Sequence, residues 1–245
     1  MSRAARIALK VVVWSGGLAP LAALLWWVAR DDLTANPISF VTNHLGDWTF
    51  RILLASLAMT PLRILTGWGW PALLRRLLGL FAFAYAGLHF SVWILLDHFF
   101  NWGQMLEDIV KRPYITVGMT ALLLLVPLAA TSTSGMVKRL GGVTWRRLHR
   151  LVYAVGALAA LHFLWLAKVG RREQYVYAAI VALLLAIRLA AWARRRVRAH
   201  RSQAAMRAPR SPAAFERINR EDQRSHAASL SGHPQNDPAS RHPLQ

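Results

Sequence analysis

The chain has 245 residues, 55% of them hydrophobic, and a mean hydropathy of +0.30, which is too apolar for a water-soluble domain of that length. A net charge of +19 would suit a nucleic-acid binder, but the arginines stand between apolar runs and in one tail, the pattern of loops retained on one side of a membrane. With no cysteine, disulfides, zinc–thiolate sites, iron–sulfur clusters, c-type haem attachment and thiolate-ligated haem are all excluded.

In chain order, a short basic N-terminus (Arg3, Arg6, Lys10) precedes an apolar run over about 11–29. No small-residue cleavage site closes that run and more apolar segments follow, so it reads as an uncleaved first span. Asp31, Asp32, Asn36 and Pro37 form a polar turn before a second span, 45–65, which contains Arg51 and Pro61. A loop with Arg63, Arg75 and Arg76 leads into the third span, 77–96, which carries His89. The stretch 97–112 reads as a mixed-charge connection with Glu107 and Asp108. The fourth span, 113–130, begins at Pro113, a residue suited to the first turn of a helix. A polar cluster, Thr131 to Gly135, and four basic residues (Lys138, Arg139, Arg146, Arg147) separate it from the fifth span, 148–167. That span has His149 at its basic end and His162 deep inside. The sixth, 175–192, stops at Arg194, Arg195 and Arg196, and Arg188 near its end reads as snorkelling to the headgroups.

The expected fold is therefore an all-α integral membrane protein, a six-helix transmembrane bundle over 1–198. Residues 199–245 are too poor in apolar residues to form a core and read as a disordered basic cytoplasmic tail. The histidines there (His200, His226, His233, His242) follow no metal-binding spacing. By the positive-inside rule both termini and the basic loops are cytoplasmic, with Lys168, Arg171 and Arg172 dissenting on the outer side. Tryptophans near the span ends, such as Trp26, Trp27, Trp68 and Trp70, make the aromatic belts expected at membrane–water boundaries.

Histidine inside a bilayer is a functional candidate by default, because burying it there costs free energy. At a rise of ~1.5 Å per residue, His89 lies about 18 Å past Leu77 and His162 about 21 Å past Leu148, on spans that run in the same direction. The two are level, in the outer half of the membrane, and can supply both axial ligands of a haem iron between two helices. His149 lies near the inner face, about 20 Å from His162, and is a candidate ligand for a second haem iron whose other ligand is unidentified. Arg51 lies at about the level of the first haem, where it could pair with a propionate or snorkel. His44 and His98 fall at the outer surface and read as solvated. No dinucleotide, P-loop, nucleophile-elbow or zinc-protease motif occurs, so electrons must come from the membrane or another protein.

Several stretches resemble the MsrQ (YedZ) family, the haem-binding membrane subunit of the bacterial periplasmic methionine-sulfoxide reductase system. They are Thr131 to Lys168, with its L-H-R-L-V-Y…L-H-F-L-W core; R-R-L-L-G-L-F-A-F-A-Y-A-G-L-H-F from Arg75; R-P-Y-I-T-V-G from Arg112; and M-T-P-L-R around Pro61. The resemblance covers about residues 5–195 and implies membership of the ferric-reductase-like transmembrane superfamily. It implies b-type haem, FMN, electrons drawn from the quinone pool, and delivery across the bacterial inner membrane to a periplasmic molybdopterin subunit that reduces methionine sulfoxide in proteins. In that superfamily a two-histidine helix holds two stacked haems with partners on the third span, where this chain has only His89. A flavin phosphate would find Arg75, Arg76, Arg146 and Arg147 at the inner face, residues that topology alone also explains. Two other classes carry the same histidines: another haem-dependent membrane reductase subunit, and a non-redox transporter in which they relay protons.

Overall fold

The computed structural model describes residues 2–166, 172–207 and 220–225. The elements are α1 (Arg3–Ala29), α2 (Pro37–Thr66), α3 (Pro71–Val92), α4 (Trp102–Lys111), α5 (Pro113–Ala130), α6 (Ser134–Leu148), α7 (Leu151–Trp165) and α8 (Glu173–Arg207). A single π-helical turn, Trp93–Asp97, continues α3. The starts are written in the sequence. Side chains of Ser2, Asn36, Asn101 and Thr133 accept from the first free backbone N–H groups of α1, α2, α4 and α6. Pro37, Pro71 and Pro113 occupy first-turn positions, where no N–H is needed. Gly67, with φ of 74°, ends α2 in the left-handed conformation that glycine adopts without strain.

Residues 1–193 form one compact unit, and 194–245 a second that contains the end of α8 and a helical turn at 220–225. In the first unit α2 packs on α3 and α5 on α7 most extensively. Leu53, Leu57, Ala82, Tyr85 and Val155 form the centre of the core. Small residues let the helices close: a Cβ on Gly156 would stand 2.8 Å from the Leu57 side chain, and one on Gly17 2.9 Å from the Phe81 ring. Pro20 interrupts the hydrogen-bond ladder of α1, and Tyr85 repairs it. Its hydroxyl donates to the Gly17 carbonyl at 2.7 Å and accepts from the Leu21 N–H at 3.1 Å, bridging the two ends of one helical turn.

Among the described residues five single helices are long and apolar enough to cross a membrane, and α6 with α7 makes a sixth if that pair, bent by 45°, counts as one span. Where the expected fifth span, 148–167, starts, the helix is bent. The chain breaks at His149 and Arg150, and α7 alone has 15 residues, about 22 Å of helix, against a hydrocarbon core of about 30 Å. Clustered Arg146, Arg147, His149 and Arg150 oppose burial of one continuous helix there, and Gly141, with φ of 73°, kinks α6 as well. The two stretches expected as connections, 97–112 and 131–147, contain α4 and α6. Residues 199–207 continue α8 past the arginine triplet, because arginine favours a helix whatever its cost to a membrane. Lys168, Arg171, His226, His233 and His242 lie outside the described residues.

Replacing Tyr85 by Phe removes the bridge and leaves the Gly17 carbonyl and Leu21 N–H unpaired in an apolar core. The expected loss is about 1–3 kcal/mol, read as a lower Tm of the detergent-solubilised protein; a Tm equal to wild type would contradict the bridge.

Candidate cofactor site

One structural device occurs twice. His89 on α3 points its Nδ1 at the carbonyl of Thr42 on α2, 2.9 Å away, and His162 on α7 points its Nδ1 at the carbonyl of Tyr114 on α5, 2.7 Å away. A carbonyl only accepts, so each Nδ1 carries the proton and each Nε2 keeps its lone pair. In both cases the residue four positions after that carbonyl is glycine. A Cβ on Gly46 would stand 3.1 Å from the His89 ring, and one on Gly118 would stand 2.7 Å from the His162 ring. Side chains on a helix tilt toward its N-terminus, so a side chain at the fourth position would cover the carbonyl that the imidazole needs. Glycine leaves the carbonyl open and lets the ring lie against the helix.

Both imidazoles line one cavity of about 470 Å³. Its apolar part is formed by Phe50, Leu53, Leu125, Val155 and Phe163, with Phe50 stacked on Phe163 at 4.9 Å. Its polar part gathers where α2, α5 and α8 begin and α3 finishes, and includes Asn43, Asp47, Asp97, Arg112 and Gln174. Volume and lining are those of a pre-formed site for an organic cofactor. Among the described residues no group of three or more His, Cys, Asp or Glu side chains could hold a bare metal ion. Two imidazoles suffice only for a metal whose other ligands come with the cofactor, as in a metal–macrocycle.

The remaining candidates lie elsewhere. His149 ends α6, its ring flat on Trp145 at 3.9 Å and its Nδ1 against the Trp145 carbonyl at 3.1 Å; its Nε2 is buried with no partner. It does not line the cavity, and the bend at 149–150 removes the straight helix on which its separation from His162 was reckoned. Arg51 sits over the Trp48 ring at 5.2 Å and is not among the residues that line the cavity. Arg75 and Arg76 open α3 and Arg146 and Arg147 close α6, all exposed, and no hydrogen bond joins the two pairs among the described residues. Arg188 does not snorkel. It is buried, donates to the Leu57 carbonyl at 2.5 Å and lies over the Tyr153 ring at 5.0 Å. His44 and His98 are not solvated either. His44 bonds the Pro20 carbonyl at 3.1 Å among Trp27, Phe40 and Trp48. His98 is 9% exposed, against Trp93, with Nε2 3.2 Å from Asp108.

Sequence reasoning named the two ring donors and missed what aims them: Thr42, Gly46, Tyr114 and Gly118. The readable signal was a glycine four residues after the residue whose carbonyl accepts, in both T-N-H-L-G and Y-I-T-V-G.

A bundle of apolar helices with two imidazoles on one cavity is the architecture of a membrane cofactor protein, and residues 45–160 match the family described as ferric reductase like transmembrane component. Proteins named protein-methionine-sulfoxide reductase heme-binding subunit MsrQ cover most of the chain. That of Herminiimonas arsenicoxydans is 50% identical over 191 residues, 76% of this chain and 87% of its own length. That of Rhodospirillum rubrum is 54% identical over 182 residues, 73% and 88%. That of Xanthomonas campestris pv. campestris is 48% identical over 209 residues, 83% and 94%. The chain belongs to the MsrQ family.

The two glycines give a graded test. Gly118→Ala, with its tighter contact, should lower stability by about 1–3 kcal/mol and exceed Gly46→Ala in the same Tm assay. Equal tolerance of both would contradict the ring-against-glycine geometry.

Proposed function

We propose that this chain is the b-type cytochrome subunit of a methionine-sulfoxide reductase system, with His89 and His162 as the axial ligands of one haem. The observation that carries the reading is the pair of imidazoles on one cavity, each with Nδ1–H bound to a carbonyl and Nε2 free to ligate. The relatives' name, which states haem binding, supports it. Haem bound there would supply a one-electron relay. The protein's part is to fix two neutral tautomers, to exclude water from the iron with Phe50, Leu53, Leu125 and Val155, and to leave the cavity's polar end open.

In this reading the basic ends of the helices are cytoplasmic and the end bearing α4 faces the periplasm, with six spans and both termini inside. Electrons enter from the quinone pool of the inner membrane and leave over the α4 end to a periplasmic molybdopterin subunit. There, two electrons and two protons convert methionine sulfoxide to methionine and water, so catalysis belongs to the partner. FMN completes the proposal through family resemblance, with the exposed Arg75, Arg76, Arg146 and Arg147 at the cytoplasmic end as its phosphate contacts.

Visible spectra of the purified, detergent-solubilised protein test the ligands. Wild type and His149→Ala should show the sharp reduced bands of six-coordinate b-type haem. His89→Ala and His162→Ala should each lose haem or turn five-coordinate. A colourless wild type from haem-replete cells, or unchanged spectra in either cavity variant, would overturn the assignment.

A further inference from the structure

The polar end of the cavity holds two groups that the ligand assignment leaves unexplained. Gln174, at the start of α8, is 7% exposed, and its Oε1 is buried without a hydrogen-bond partner. A buried unpaired amide costs free energy, and Gln174 is also one of the residues that line the cavity, where a polar ligand atom could relieve it. Amide oxygen and nitrogen exchange by a simple flip, and the flipped form presents N–H donors to an acceptor. Arg112 is the only arginine or lysine lining the cavity among the described residues. Its Nε donates to Asp108 at 3.1 Å and its Nη1 to the Tyr114 hydroxyl at 3.4 Å, which holds the guanidinium in place while leaving Nη2 to donate. Asp108 is itself fixed by His98, 3.2 Å away.

Position strengthens the case. Arg112 is two residues before Tyr114, whose carbonyl aims His162, so one short segment sets both an iron-facing ring and a cation at the cavity's rim. The cavity is apolar at one end and polar at the other, the polarity of a macrocycle whose carboxylates all leave from one edge. Two carboxylates of the chain share the rim, Asp47 and Asp97; Asp97 lies 3.6 Å from His98.

We propose that Arg112 and Gln174 bind the propionate carboxylates of the haem and so fix which edge of the macrocycle faces the α4 end. The inference rests on the haem reading. It makes the R-P-Y-I-T-V-G segment a complete half-site: Arg112 for the carboxylate edge, Tyr114 for the tautomer, and Gly118 for the ring.

The test uses the full-length, haem-loaded protein in detergent and two readouts at fixed pH. These are the rate of haem transfer to excess apomyoglobin and the midpoint potential. Arg112→Gln should lose haem about tenfold faster, the effect of removing one charge-assisted hydrogen bond. It should also titrate at lower potential, since a positive charge beside the haem disfavours the ferric form. Gln174→Leu should speed haem loss with little change in potential. Arg51→Gln, a control at an arginine that is not among the lining residues, should match wild type in both. If Arg112→Gln retains no haem, Arg112→Lys decides: faster loss than wild type supports the contact, and an equal rate overturns it. A haem-loaded protein in which Arg112→Gln and Gln174→Leu both behave as wild type sinks this inference and leaves the histidine ligands standing. A wild type that binds no haem sinks both.

Discussion

The hydrogen bond from an imidazole Nδ1–H to a helix carbonyl, made twice, is the constraint on which the rest of the arrangement depends. Inside a bilayer a histidine has no water to satisfy it, so each ring nitrogen needs a protein or ligand partner. A carbonyl already engaged in a helix still has a second lone pair to offer. Using it fixes the neutral tautomer and directs the other nitrogen, the one able to ligate, away from the supporting helix. The glycine four residues on is required by the same geometry. The closest helix pairs, α2 with α3 and α5 with α7, are also the pairs that carry these bonds.

The ends of the bundle differ in chemistry. At one end α4 presents Trp102, Leu106 and Val110 outward along one face while Asp108 turns to His98 and Arg112, so the helix ties the end of α3 to the start of α5. At the other end arginines are exposed, except Arg188, whose charge is met by a helix carbonyl and an aromatic face rather than a carboxylate. Such a pairing holds a cation in apolar surroundings without adding an acid to the membrane. Tyr85 works on the same principle, lending a hydroxyl to a helix that Pro20 has interrupted.

A helix rises by a fixed amount per residue, which is what set His89 and His162 side by side when read from the sequence, and both residues line one cavity. Spans were legible as apolar runs, yet their ends were not: α1, α2 and α3 each begin before their apolar run, at positions set by Ser2 and by Pro37 and Pro71. The bend at His149 and Arg150 was hidden because Leu151–Trp165 is apolar enough to carry the reading of one span back across these two polar residues. His44 and His98 were misplaced for a shared reason: their surroundings come from other segments of the chain, Pro20 and Trp27 for His44 and Asp108 for His98. Gly46 and Gly118 were visible as letters but meaningless until the rings that lean on them were placed.

The central claim is that two Nε2 atoms face one iron. Pulsed electron paramagnetic resonance of the oxidised protein, grown with histidine labelled with nitrogen-15, measures that directly. The account predicts a low-spin ferric centre coupled to two imidazole nitrogens, with one coupling lost in His89→Ala and the other in His162→Ala. A centre coupled to a single histidine, or one whose couplings survive both substitutions, would contradict it.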